Sequence, residues 1–407
     1  MARSRPLRIL LTEGASTSAR EAVTALGLDG HSIEIMDPDA HCICRFSRFV
    51  DKVHRCPPLA TDPKAYLEFA LGLLETGRFD VLLPIHEQGM VFAKARARIP
   101  AGVGIALPDF DAYLTAHGKA TFSQLLTRIG VSQPRTHIVG TLDGPLPEPY
   151  PLIVKQAMST ASRSVHIVHS DADIAAARAA TAGAPGEFLV QELIHGDVEH
   201  AQALFDHGRF VAMMGYRQII RGAGGGEALK ESIWRPRVAD DMRTIGAALN
   251  WHGALSVDYL WKNDIPYFVD SNPRLVEPMS AHFAGLDLAG MLVRLSLGEH
   301  LEEAPPPKTG VRTRLSLQAL LGKALTTHSR VEIVREIYRF LTGSGPYEGS
   351  VEEFTPVKLD WMAAVPVGMT AFAVLLHPGT ARILPSLGWG AGLLTPEAVR
   401  IVRDEIS

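Results

Sequence analysis

The stretch that decides the fold is Gly253–Arg274, "GALSVDYLWKNDIPYFVDSNPR". Two apolar runs with alternating pattern flank a polar "KND", which reads as a β-hairpin. With residues 263–265 as its turn, Asp258 stands directly opposite Asp270. Asn272 lies two residues beyond Asp270 and shares its face, because strand side chains repeat every second position. Opposed acids destabilise a hairpin unless something positive lies between them. Two carboxylates and an amide oxygen are hard ligands that suit Mg2+, which completes its shell with water and substrate phosphates. Arg274 follows on the same side, where its fork of donors suits a phosphate oxygen. A solvated loop after an edge strand would explain scattered charges, but not an acid pair in register. Pro273 lacks an N–H, so strand pairing weakens where the backbone turns toward phosphate.

Around this hairpin lies a chain of 407 residues, 46% hydrophobic and 21% charged, ordinary for a folded protein with two or three domains. A net charge of −4 without any basic run argues against a nucleic-acid partner. The three cysteines, Cys42, Cys44 and Cys56, sit with His41 and His54 in "HCICRF…VHRC". C-x-C and H-x-C are not the spacings of a structural zinc site, so buried thiols in a reducing compartment are expected. The apolar stretch near the N-terminus is too short for a signal-peptide core, and a cytoplasmic location is expected. A second apolar run, "WMAAVPVGMTAFAVLLHPG" (Trp361–Gly379), contains Pro366 and Gly368 and falls short of a spanning helix. The expectation there is a buried core segment rather than a membrane contact.

Residues 1–110 open with "LRILLTEG", "TSAREAVTALGLDG" and "HSIEIMDPD", a strand–helix–strand unit. After a further helix comes the buried strand "VLLPIHEQG", so this domain is expected to be doubly wound and parallel. His86, Glu87 and Gln88 fall at a strand's carboxyl end, where such sheets bind ligands, although a capping loop fits them equally well. Residues 111–300 read as a mixed α+β domain rich in hairpins, with subdomains 111–190 and 191–300. "EEAPPPKTG" (302–310) is a linker, and 311–407 is a C-terminal lobe. Its role is open between shaping an acceptor pocket, forming a homodimer interface and touching a membrane. Only 10 of the 40 basic residues are lysines. Lys155 lies inside the strand "PLIVKQA", where an ammonium needs a partner such as a polyphosphate. Lys119, on "HGKATFSQLL", carries little information alone.

Taken in order, "GKATFSQLLTRIGVSQPRT", "PLIVKQA", "FLVQELIHGDVEH", "GALSVDYL" and "FVDSNPRL" resemble the ATP-grasp superfamily over about residues 1–300. The flavour is that of carbamoyl-phosphate synthetase and the carboxylate–amine (amino-acid) ligases. The resemblance implies an α/β and α+β architecture: a Rossmann-like preATP-grasp domain, a two-subdomain ATP-grasp fold and a C-terminal lobe. It implies ATP and Mg2+ (or Mn2+) as cofactors. Lys119 and Lys155 match the lysines on ATP phosphates. Glu192 and the backbone of Leu193, Ile194 and His195 match the adenine edge, and Glu199 the acceptor of ribose hydroxyls. Asp258, Asp270 and Asn272 match the metal ligands, and Arg274 an arginine near the transferred phosphate.

Two positions depart from the family pattern. The phosphate-covering loop "STASRS" (159–164) has no glycine, which leaves Ser162 and Arg163 to donate from their side chains. Asp270 stands where Glu is usual, shortening its reach by about one methylene and leaving open one metal ion or two.

The implied activity is that of an ADP-forming ligase. A small carboxylate attacks the γ-phosphate to give an acyl phosphate, and an amine then displaces phosphate. No protein nucleophile is needed, in keeping with the lack of a Ser-His-Asp or Cys-His arrangement. Residues 217–237, "RQIIRGAGGGEALKESIWRPR", are the expected water-excluding lid. Arg221 joins Arg274 and Lys155 as a catalytic candidate, and His86, Glu87, Lys230 and Arg235 are candidate substrate contacts. Two other readings stand beside this one: phosphotransfer to a non-amine acceptor, and a weakly catalytic ATP-binding regulatory module.

Overall fold

A computed structural model describes residues 5–144, 146–157, 165–181, 186–384 and 393–406. In the first domain, β1 (Arg8–Leu11), β2 (Ser32–Asp37), β3 (Val50–Arg55) and β4 (Val81–Leu83) pair in parallel, in the order β3–β2–β1–β4. Ile9, Leu10 and Leu11 are wholly buried, as expected of a strand covered on both faces. Helix Thr17–Leu28, N-capped by the Ser16 side chain, connects β1 to β2. The doubly wound expectation holds. β3 is not evident in the sequence, because "VDKVHR" carries only two apolar residues. Cys42, Cys44 and Cys56 are free and buried, and no metal-capable cluster among the described residues includes a cysteine.

The second sheet is antiparallel: β5 (Thr136–Val139), β6 (Leu152–Gln156), β7 (Val165–Val168) and β8 (Phe188–Glu192), in the order β5–β8–β6–β7. The third is built from β9 (Asp197–Asp206), β10 (Arg209–Arg221), β11 (Glu227–Ile233), β12 (Gly253–Lys262), β13 (Ile265–Asn272), β14 (Arg312–Arg314) and β15 (Val351–Glu352). Its order is β13–β12–β9–β10–β11–β14–β15. Helix Pro236–Ala248 packs on it, and Gly246 makes room for Phe205, which would meet a Cβ there at 2.2 Å.

Residues beyond 310 are stitched into both halves of the molecule. β14 pairs with β11, extending the third sheet. Arg20 and Asp360 form a wholly buried ion pair at 2.8 Å between helix Thr17–Leu28 and this C-terminal part. Thr24 and Thr355 hydrogen-bond at 2.6 Å beside it. Helix Pro396–Glu405 packs on helix Pro63–Leu74.

Two expectations are corrected here. The supposed lid over 217–237 is largely the β10–β11 hairpin, paired from Gly215↔Ile233 to Arg221↔Glu227 with irregularities at Ile219 and between Ile220 and Arg221. Only its tip is non-strand, and the Gln318 side chain pins that tip by accepting from Ala223 N at 2.9 Å. The Trp361–Leu376 run is not a buried segment. Helix Ala364–Leu376 buries Pro366 and Val374, but Trp361, Met369 and Phe372 face outward. No helix among the described residues is long and apolar enough to cross a membrane.

Candidate functional site

The hairpin supplies the site by a route its sequence does not reveal. Its turn is the two residues Asn263 and Asp264, both with positive φ (51° and 59°), and not 263–265. That is the primed geometry favoured by the strand twist. Such a turn alone would shift the pairing by one residue. A bulge between Asp258 and Tyr259 restores it, so Tyr259 pairs with Phe268 while Asp258 still pairs with Asp270. Val269, the extra residue, turns its carbonyl to Lys155 Nζ at 3.0 Å.

Each oxygen group of the hairpin meets a cation. Lys119 begins helix Lys119–Ile129, and its Nζ lies 2.8 Å from Asp270 Oδ2. His200, opposite Asp258 on β9, puts Nδ1 2.7 Å from Asp258 Oδ1 and Nε2 3.0 Å from Glu227 Oε1. Burial alone would lower the imidazolium, but the charges of Glu227 and Asp258 prevail and raise it to about 10. Arg274 Nη2 donates to Asn272 Oδ1 at 3.4 Å. Arg274 Nη1 is buried and has no hydrogen-bond partner among the described residues. An orphaned buried guanidinium donor fits an anionic ligand, and the two carboxylates with an amide oxygen fit Mg2+.

These groups line one pocket where three parts of the chain meet. The first domain contributes Ser16–Ser18, His86 and Glu87, the third sheet and the segment after it add the 223–226 tip and Glu277, and the C-terminal part closes it with Gln318 and Leu393. Burial pushes Glu87 up to about 7, against the pull of Leu394 N, which donates to its carboxylate. Just behind, Glu13 accepts from Ala15 N at 2.8 Å and Ser16 N at 3.0 Å, and burial raises it likewise to about 7.

Glu13 makes stability depend on pH. Its folded pKa lies above the ordinary carboxylate value, so the folded state holds the proton more tightly. The contribution is full below the unfolded pKa of 4.5 and is lost as pH rises through about 7. Glu13→Gln should flatten this fall, which amounts to roughly 3 kcal/mol between pH 4 and pH 8. Urea unfolding at the two pH values measures it, and identical slopes in wild type and variant would refute it.

Of the other sequence candidates, Lys155 is buried behind the hairpin. Burial lowers it to about 8, and Asp270 is the charge that most favours its cation. Glu192 accepts from Arg135 N at 2.9 Å at the end of β8, with Leu193, Ile194 and His195 following. Glu199 is wholly buried, not open to ligand as expected, and is held by the half-buried Arg235 at 2.6 and 3.1 Å. Lys230 is likewise unavailable as a substrate contact, being buried between Glu277 and Glu353. Arg221 is exposed at the end of β10, outside the pocket lining. Ser162 and Arg163 lie outside the described residues. His200, Glu227 and Tyr113 line the pocket without having been singled out, because their roles depend on how β9, β11 and helix Phe110–His117 are assembled.

Paired acids on a hairpin, a lysine at a helix start and an arginine beyond the strand thus meet in one pocket. Residues 116–278 match the family profile described as ATP-grasp domain. Over 229 residues the chain is 24% identical to the carbamoyl phosphate synthase large chain of Rubrobacter xylanophilus. That match takes in 52% of this chain and 22% of the relative, so the chain spans about a fifth of the relative's length. Among solved structures, N5-carboxyaminoimidazole synthetase of Staphylococcus aureus complexed with ADP superposes with a TM-score of 0.59 at 13% identity, covering 79% of this chain and 87% of that one. L-amino acid ligase of Bacillus licheniformis gives 0.58 at 16% identity, covering 73% and 76%. Biotin carboxylase of Campylobacter jejuni, in a β,γ-ATP complex, gives 0.58 at 16%, covering 76% and 75%. At these identities the likeness is one of fold.

Proposed function

We propose that the protein is an ATP-dependent, ADP-forming ligase that joins a small carboxylate, of the amino-acid kind, to an amine. The observation that carries this reading is the convergence of Asp258, Asp270, Asn272, Lys119 and Arg274 in one pocket shared with His86 and Glu87. Asp258, Asp270 and Asn272 would hold Mg2+, which when bound neutralises phosphate charge. Lys119 and Arg274 place fixed cations where charge spreads over the transferred phosphoryl group. The carboxylate oxygen attacks the γ-phosphorus, and the bond to the β-phosphate oxygen breaks, releasing ADP. The amine then attacks the acyl carbon, and phosphate leaves with the bonding pair. Glu87, poised at about 7, suits taking the proton the amine sheds. The fold likeness to L-amino acid ligase supports the substrate class.

An ADP-release screen crossing carboxylates with amines tests the proposal. Release that requires one member of each class is the expected result. Release indifferent to amine would replace it with transfer to another acceptor, and Mg-ATP binding without turnover across the panel would replace it with a regulatory module.

A further inference from the structure

The C-terminal part carries a surface that the ligase reading does not use. Among the described residues, eleven of the seventeen exposed large apolar side chains fall between Val331 and Ile383. They belong mostly to two neighbouring helices, Arg330–Thr342 and Ala364–Leu376. The inner faces bury Ile333, Phe340 and Val374 in a shared core. The outer faces should then be polar. Instead the first presents Val334, Tyr338 and Leu341, the last 73% exposed, and the second presents Met369 and Phe372 with Trp361 just ahead. The second helix, "AVPVGMTAFAVLL", has no charged residue at all. Arg330 Nη2 donates to the Leu376 carbonyl at 2.7 Å, joining the start of one helix to the end of the other. A concentration of exposed apolar side chains of this kind marks an interaction site.

Charge selects the occupant. Between residues 316 and 384 the exposed Lys and Arg residues are Arg330, Arg335, Lys358 and Arg382, against one exposed acid, Glu348. Of the remaining acids, Glu332 is 34% exposed and pairs with Arg335, while Glu336 is turned inward onto Tyr347 and Asp360 onto Arg20. A two-fold contact between copies through this face would bring cationic rim against cationic rim. A surface of anionic lipid headgroups would neutralise it, at about 1 kcal/mol for each Lys or Arg near the surface. Trp361 and Tyr338 are the residue types that settle at headgroup depth. At 13 residues the second helix spans about 20 Å, so it would lie in the interface plane rather than cross.

We propose that this two-helix face docks the protein reversibly on an anionic membrane surface. Co-sedimentation of the full chain with vesicles of phosphatidylcholine, with or without one quarter phosphatidylserine, tests it. Binding to the anionic vesicles at low salt is expected, with at least a tenfold smaller bound fraction at 0.5 M salt or on neutral vesicles. Phe372→Asp and Lys358→Glu/Arg382→Glu should each reduce binding at least tenfold, with unfolding midpoints unchanged because all three residues are exposed. No binding to either vesicle, or binding indifferent to lipid charge, would overturn the proposal. So would a dimer in sedimentation equilibrium that Phe372→Asp dissociates, which would assign the face to a second copy.

Discussion

Replacing Arg274 by alanine is expected to lower ADP release about 10²- to 10³-fold without lowering the unfolding midpoint. Nη1 is buried with no partner among the described residues, and Nη2 makes one long bond to Asn272. Burial pulls the guanidinium below its ordinary pKa despite the opposing charges of Glu87 and Asp258, so the folded state carries a net desolvation cost there. Deleting the side chain removes that cost, and what is lost is a donor aimed into the pocket. One such donor is typically worth two to three orders of magnitude in turnover, about 10²–10³. Arg274→Lys keeps the charge but not the fork, and should fall between the two. Initial-rate assays alongside thermal melts separate the cases. Full activity in Arg274→Ala would remove this residue from the site, and a collapsed melt would make its role structural.

The largest stability effect is expected at Lys230. Its ammonium lies between Glu277 and Glu353 (2.7 Å from the latter) and over the Tyr216 ring at 4.5 Å, with nothing reaching solvent. Burial opposes the charge, but the two carboxylates hold the lysine well above its ordinary pKa. Glu277 comes from the segment after β13 and Glu353 from the one after β15, so a single ammonium joins the ATP-grasp domain to the C-terminal part. Lys230→Met leaves two buried acids without their cation. The expected cost is about 3–5 kcal/mol, the range for breaking a buried pair from one side. The deficit should narrow at pH 5, where burial already favours the protonated form of Glu353, whose pKa is pushed up to about 7. Urea titrations at pH 5 and pH 8 measure both effects. A loss under 1 kcal/mol at pH 8 would show that the cluster tolerates an apolar replacement.

The sequence pattern conveyed the elements that are local. β1, β2 and the hairpin announce themselves through apolar runs and alternation, and Asp258 does face Asp270. That register arises from a two-residue turn compensated by a bulge, and a bulge has no sequence signature in "YFVD". His200 could not be placed, because its value depends on β9 lying against β12, some 50 residues onward in the chain. Lys230 and Arg235 looked like free charge on a mobile segment, since their partners Glu353 and Glu199 come from other strands and loops. β14 is three residues long, too short for any periodicity, and only its pairing with β11 reveals how residues beyond 310 join the sheet. The apolar run at Trp361 was readable as a helix-length segment, but not which side of it would meet solvent.

Asp258 and Asp270 are the proposed core of the metal–nucleotide site. Calorimetric titration with a non-hydrolysable ATP analogue, with and without Mg2+, tests it directly in wild type and in Asp258→Asn/Asp270→Asn. Mg2+-dependent binding in the wild type is expected, with affinity at least tenfold weaker and no longer Mg2+-dependent in the double variant. Equal, Mg2+-dependent binding by both proteins would contradict the assignment.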